Sequence, residues 1–220
     1  MQLQWDWSIA MEVLPHLIRG LWVTLLATAG GMTLALALGL MVTMARRARF
    51  RLVSWPVGAA IEFVRCTPLL IQLFFVYYLI PDFGWNTPLV TGILVLGIHY
   101  SAYTSEVYRA GIDNVPRGQW EAARALNLNR QQTWARVIIP QAVPPIVPAM
   151  GNYLVAMFKD TPLLYAITVQ EMLTRATNFS SRVFSTVEAY TLAGVLFLIL
   201  SLLAAGLIHR AERQLVVRET

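Results

Sequence analysis

The feature that most constrains this chain is a run of 26 residues, Gly20 to Ala45, without one charged side chain. Wound as an α-helix, it is long enough to cross the ~30 Å hydrocarbon core of a bilayer. Composition supports the same reading: 57% of the residues are hydrophobic and only 13% are charged, where soluble domains carry about 25%. So few charges do not cover the surface of a soluble protein of this size. Four further apolar stretches follow, at 57–80, 88–105, 137–158 and 189–208. The second holds Glu62 and Arg65 near its start, the third holds His99, and the fourth is uncharged but carries Pro140, Pro144, Pro145 and Pro148. The expected fold is an all-α membrane protein of five transmembrane helices, with residues 1–220 forming a single domain. The first apolar run is too long for the core of a signal peptide. Asp6 and Glu12 also stand where such a peptide would be basic.

The arginines orient these spans. Arg46, Arg47, Arg49, Arg51, Arg109, Arg117, Arg124, Arg130, Arg136, Arg210, Arg213 and Arg218 fall on one side, twelve in all. Arg19, Lys159, Arg175 and Arg182 fall on the other, and Arg65 lies within the second span. The positive-inside rule then puts the N-terminus outside and the C-terminus in the cytoplasm. Trp5 and Trp7 fit an outer interfacial anchor, and Trp85 fits the short outer turn 81–88. The net charge of +5 is thereby explained by cytoplasmic loops, with lipid and not nucleic acid as the surrounding partner. Ala27, Gly31, Ala35 and Gly39 recur every four residues, a small-residue stripe for close packing within the chain or across a subunit interface. Five helices enclose little, so a pathway calls for a second copy or a homologous partner.

Several chemistries are excluded. Cys66 is the single cysteine, so neither an intrachain disulfide nor a cysteine zinc site exists. His16, His99 and His209 have no metal-ligand spacing. The one lysine, Lys159, follows Phe158, so no G-K-[ST] phosphate loop is present and no nucleotide site of that kind is expected.

The loop from Glu106 to Arg136 is patterned. Asp113 and Asn114 precede Val115-Pro116, a helix-start signal, and Gly118 to Leu126 is rich in helix formers. Glu121 lies early in that helix, where the dipole favours an anion, within i,i+3 reach of Arg124. Asn127 tolerates the left-handed geometry of a helix end, and Asn129 with Gln132 resembles a capping box opening a second helix, Arg130 to Ile139. The pattern fits either a compact helix–turn–helix knob or an amphipathic hairpin on the membrane surface.

The run Glu121-Ala-Ala-Arg-Ala-Leu-Asn127, followed by Val137-Ile-Ile-Pro140, resembles the EAA loop of ABC importer membrane subunits. Its flanks resemble the permeases for polar amino acids of the histidine/glutamine/arginine/opine type. The matching stretches are Arg65-Cys-Thr-Pro-Leu-Leu-Ile-Gln-Leu-Phe-Phe75, Ala102 to Glu106, Arg109 to Ile112, Pro116 to Ala123, Ile139 to Ala142 and Lys159-Asp160-Thr161, covering about residues 20 to 210. Within that branch the chain is also similar to permeases for ectoine or hydroxyectoine, compatible solutes. The resemblance implies a multi-pass subunit of the type I importer fold in a bacterial inner membrane. The loop at about 113–136 would carry a coupling helix that docks on a dimer of ATP-binding subunits. It also implies a second permease subunit, identical or homologous, and an extracytoplasmic solute-binding protein. ATP and magnesium would sit on the partner, with no cofactor on this chain. The coupling residues carried over are Gly118, Glu121, Ala122, Ala123 and Asn127. Glu121 would make the polar contact, and Ala122 and Ala123 would be small enough for close approach. Two positions depart from the family. Asn127 stands where glycine is usual, and Pro162 follows Thr161 where serine is usual.

Polar groups within spans mark a pathway. His99 and Tyr103 share a face of the third span, and Asn152, Lys159, Asp160 and Thr161 lie along and at the outer end of the fourth. Asp160 could take the cationic end of a zwitterion and Lys159 its carboxylate, with hydrogen bonds from the others. Glu62 and Arg65, one turn apart, fit an ion pair. The prolines of the fourth span point to a helix broken against protein or a water-lined cavity. The rivals are an ion-coupled secondary transporter of amino acids, a membrane-embedded enzyme and a structural subunit without a pathway. The EAA-like loop, the lack of an inverted repeat and the lack of clustered nucleophiles or metal ligands speak against them.

Overall fold

The computed structural model describes residues 5–48, 50–80 and 87–216, without the side chains of 211 and 213–216. Trp85, Arg49, Arg218 and the Arg213 side chain, all used above for orientation or anchoring, lie outside the described residues. Among the described residues the structure is helical and without strands.

The first apolar run belongs to a longer helix, α1, Trp7–Arg46, of 40 residues. At 1.5 Å per residue it measures about 60 Å, twice the hydrocarbon thickness. Asp6 caps it, accepting the Ser8 N–H at 2.7 Å. Its small-residue stripe packs inside the chain. A Cβ on Gly31 would lie 3.0 Å from Met157 Sδ and 3.2 Å from Leu96 Cβ, and one on Gly39 would collide with Thr104 Oγ1. Thr104 Oγ1 donates to the Ala35 carbonyl at 2.8 Å across this seam.

The second apolar stretch is not the straight span expected. It is α2, Arg51–Cys66, and α3, Leu69–Phe74, which runs on as a π-turn over Phe75–Leu79, with a bend of 106° between the two parts. Pro68 drives the break. It has no N–H to give the Val64 carbonyl, and it forces Thr67 into an extended conformation (φ −102°, ψ 137°). The Gln72 amide takes over, donating to the Val64 carbonyl at 2.8 Å and to Thr67 Oγ1 at 2.6 Å. Only Ile61 of α2 is buried, so this helix lies on the outside of the bundle.

The third stretch is α4, Pro88–Asp113, capped by Thr87. It extends past the apolar run to Asp113, so Asp113 and Asn114 end this helix and do not open the next. Helix α5, Arg117–Ala125, follows, then α6, Arg130–Thr133, a π-turn over Trp134–Ile138, and α7, Ile139–Asp160. The second helix of the loop therefore does not stop at Ile139 but runs into α7. The π-turn answers Pro140, whose ring an α-helix would drive into the Arg136 carbonyl. In the wider turn the Ile139 N–H donates to the Trp134 carbonyl. The remaining prolines, Pro144, Pro145 and Pro148, lie inside α7 without breaking it.

A 3₁₀ turn, Thr161–Ile167, leads to α8, Met172–Val183, and then α9, Val187–Val216. By length and composition α1 and the Val187–Arg210 part of α9 can each cross a membrane, and the bent α2–α3 pair makes a third candidate. Helices α4 and α7 fall below that threshold because polar residues and prolines interrupt them.

The end of α7 is the largest departure from expectation. Met157 packs on Gly31, past the middle of α1, and the N-terminal part of α1 is covered instead by α8. A Cβ at Gly20 would stand 2.6 Å from Met172 Cα, which is how closely α8 crosses there. Lys159, Asp160 and Thr161 therefore lie midway along the bundle and not at its end.

Candidate functional site

Three residues of α4, His99, Tyr100 and Tyr103, project from one side of the helix toward α3 and α7. Gln72 fixes the first of them. Its amide nitrogen is committed to the carbonyls at the α2–α3 bend, so its oxygen faces His99 Nδ1 at 3.1 Å. That network assigns the proton to Nδ1 and leaves Nε2 as an acceptor in the neutral ring. Tyr100 donates to Asp160 Oδ2 at 2.7 Å. Tyr153 lies two turns before Asp160 on the same face of α7, and its ring centroid is 5.5 Å from Tyr103 and 6.3 Å from Tyr100. His99 and Tyr103 are 5.3 Å apart. At the other pole the Arg65 guanidinium lies 5.7 Å over the Tyr103 ring.

The cluster thus has a carboxylate at one end, a guanidinium at the other and three tyrosines with a histidine between them. Such a site can hold a molecule with separated charges and an apolar body. It supplies no nucleophile with an adjacent base. Among the described residues no group of three His, Cys, Asp or Glu side chains is placed to hold a metal ion.

The structure gathers His99, Tyr103 and Asp160 and parts them from the other expected residues. Asn152 is exposed, one position before Tyr153, and makes no hydrogen bond with the described residues. Lys159 is exposed on another side of α7, in a cleft of about 370 Å³ shared with apolar residues of α9 such as Phe197 and Leu202. Thr161 is fully buried, and its hydroxyl donates back to the Phe158 carbonyl at 2.7 Å. Lys159 thus lies apart from the cluster that holds Asp160, and Arg65 is the cation beside that cluster. Gln72, Tyr100 and Tyr153 were not singled out from sequence. Gln72 could have been, as the one amide in the run 69–80, and Tyr153 from its spacing to Asp160.

An ion-pair hub lies one turn further along α4. Glu106 is bound closely by Arg46 of α1 and by Arg109, at 2.6 Å to Nη2 and 2.9 Å to Nε. Arg65 approaches it at 3.9 Å. Asp113 pairs with Arg47 and, at 3.6 Å, with Arg109. The Glu62–Arg65 pair forms as expected, at 3.6 Å. Partial burial pushes the Glu106 carboxyl up, but hydrogen bonds from Arg46 and Arg109 outweigh it and hold the group below the usual carboxylate range.

Beyond the hub stands α5. Asn127 adopts φ 54°, and the chain closes the helix by two bonds, Leu128 N–H to the Ala123 carbonyl at 3.0 Å and Asn127 N–H to the Arg124 carbonyl at 2.9 Å. This is a Schellman end. The Asn129–Gln132 capping box forms at 2.8 and 3.0 Å. Trp120 meets Trp134 edge to face at 5.4 Å and ties α5 to the π-turn. Gly118, Glu121 and Ala122 face outward, whereas Ala123 is 2% exposed and packs inward, so it is not part of the outward surface. Among the described residues Glu121 forms no ion pair with Arg124. Both residues are exposed.

The sequence profile of a family described as "Binding-protein-dependent transport system inner membrane component" matches residues 31–216. The chain is 43% identical over 212 residues to the probable amino-acid ABC transporter permease protein y4tG of Sinorhizobium fredii, a match that spans 96% of this chain and 92% of that one. It is 30% identical to the glutamine transport system permease protein GlnP of Escherichia coli, over 98% of this chain and 100% of that one. A solved crystal structure of an amino acid ABC transporter with histidines superposes with a TM-score of 0.90 at 30% identity, covering 96% of this chain and 100% of that one.

Proposed function

This chain belongs to the family of binding-protein-dependent transport system inner membrane components, and we propose that it lines the route by which a polar amino acid, or a zwitterion like one, enters the cell. It is an amino-acid ABC transporter permease, a membrane component and not an enzyme. In the proposed topology α1, the bent α2–α3 pair, α4, α7 with its 3₁₀ continuation, and α9 are five spans, with the N-terminus outside. The twelve arginines on the inner side support that orientation.

In this reading α5 is the coupling helix. It presents Gly118, Glu121 and Ala122 to a separate ATP-binding subunit, and Asn127 ends it sharply enough to make it a rigid knob. Two such subunits carry ATP and magnesium below. A second permease completes the pathway, and a solute-binding protein delivers cargo above. The setting is a bacterial inner membrane. Ectoine and hydroxyectoine, both zwitterions, stand among the candidate cargoes.

The observation that carries the pathway reading is the place of Asp160. Its carboxylate ends a helix that stops midway through the bundle, bonded to Tyr100 and grouped with Tyr103, Tyr153 and His99. A charge at that depth is costly unless it faces protein, water or a charged cargo. The test is co-reconstitution with the ATP-binding subunit and binding protein, measuring cargo-stimulated hydrolysis and uptake. Asp160→Asn is expected to lower uptake at least tenfold while basal hydrolysis persists, a loss of about 1.4 kcal/mol or more. Uptake that proceeds without ATP, or an Asp160→Asn protein with unchanged uptake, would refute the reading.

A further inference from the structure

Arg65 stands where the aromatic cluster meets the ion-pair hub, and neither neighbour uses its full capacity. It is the next-to-last residue of α2, just before the 106° bend. Its contacts are all loose: 3.6 Å to Glu62, 3.9 Å to Glu106 and 5.7 Å to the Tyr103 ring centroid. A guanidinium has five N–H donors, and among the described residues none of those of Arg65 makes a hydrogen bond. Glu106 does not need it, because Arg46 and Arg109 already bind both carboxylate oxygens. The side chain is 38% exposed and is free to turn.

The planar fork of a guanidinium matches a carboxylate through two parallel hydrogen bonds. Tyr103 provides a face along which the fork can slide while it stays charged. Asp160 occupies the far pole of the same cluster, with Tyr100 and Tyr103 between the two groups.

We infer that Arg65 binds the carboxylate of the cargo, leaving its loose contact with Glu106 to do so, while Asp160 takes the cationic end. The inference rests on the reading that the cluster holds a zwitterionic cargo. It makes Arg65 a specificity-determining residue for a free carboxylate. It also makes the 3.9 Å contact to Glu106 the one hub contact that cargo withdraws.

The experiment is equilibrium binding of radiolabelled L-glutamine and L-histidine to the detergent-solubilised permease–ATPase complex, without binding protein. The carboxamides of the same amino acids serve as competitors. The intact complex is expected to prefer the free carboxylate at least tenfold. Arg65→Gln removes that preference and binds acid and amide alike. Arg65→Lys, which keeps the charge without the fork, retains part of it. Melting temperatures of all proteins verify that each is folded. A folded Arg65→Gln complex that keeps the full preference, while Asp160→Asn loses binding, overturns the role of Arg65 and leaves the cargo site standing. If neither amino acid binds the intact complex, the cargo-site reading falls and the role of Arg65 falls with it.

Discussion

Replacing Asn127 tests whether a single backbone conformation holds the loop helix together. Helix α5 has nine residues, too short to persist alone in water. It is retained by the inward Ala123, by the Trp120–Trp134 contact and by its two C-terminal bonds, which require Asn127 at φ 54°. A left-handed conformation costs an ordinary residue roughly 1–2 kcal/mol, more for a β-branched one and little for glycine. Asn127→Val therefore raises the population with the turn opened by about 5- to 30-fold, whereas Asn127→Gly leaves it unchanged or lowers it. The assay is hydrogen exchange at the Leu128 and Asn127 amides, which donate to the Ala123 and Arg124 carbonyls. Cargo-stimulated ATP hydrolysis is measured on the same samples. Faster exchange and weakened stimulation are expected together in Asn127→Val, with neither in Asn127→Gly. If the valine and glycine proteins exchange at the same rate, the helix does not depend on this turn and the reasoning fails.

Gly20→Ala brings a Cβ to 2.6 Å from Met172 Cα and 2.9 Å from the Glu171 carbonyl, backbone atoms that move only with α8. The melting temperature should fall by the equivalent of ~1–3 kcal/mol, while Gly58→Ala, with open space around it, should not lower it. Glu121→Lys reverses the charge on the outward face of α5 and is expected to weaken ATPase binding in pull-down assays without changing the melting temperature. Glu106 is held below its ordinary value of 4.5. Its contribution is therefore complete above that pH and is lost as pH falls through the lowered value. Glu106→Gln should melt lower than the parent at pH 7, and the difference should close as acid protonates the parent's carboxyl.

Much of this architecture could be read from residue order because the governing effects are local. The Asn127 turn, the Asn129–Gln132 box and the Glu62–Arg65 pair involve residues within five positions of one another, and each formed where the spacing placed it. The errors concern effects that depend on neighbours distant in the chain. Pro68 and the four prolines of the 137–158 run look alike in sequence, yet one breaks its helix and the others do not. The surroundings of the two that can be traced differ. Gln72 reaches back to the break at Val64, and the π-turn widens the helix before Pro140. Likewise, hydrophobicity showed that α7 is apolar but not how deep it ends. That depth is set by α8 crossing α1 at Gly20, a contact between residues about 150 positions apart.

Helix α4 connects the two halves of the proposed mechanism. It carries Tyr100 and Tyr103, then Glu106 and Arg109, then Asp113, and four residues later α5 begins. Tyr103 and Glu106 are one turn apart, so a displacement of the loop reaches the aromatic cluster along a single helix. The same helix is anchored to α1 by the bond from Thr104 to Ala35 and by the Arg46 and Arg47 pairs. A push on α5 therefore either tilts α1 and α4 as one body or slides α4 along α1. Sliding would drive Thr104 out of the space kept open by Gly39 and break the Ala35 bond, in a seam too closely packed to shift by fractions of a turn. Tilting preserves both. It would change the distance from Tyr100 on α4 to Asp160 on α7, a hydrogen bond between the moving pair and the helix beside it. In the proposed mechanism the loop helix would thus act on the cluster by rotating α1 and α4 against α7, with the Tyr100–Asp160 bond as a contact that opens.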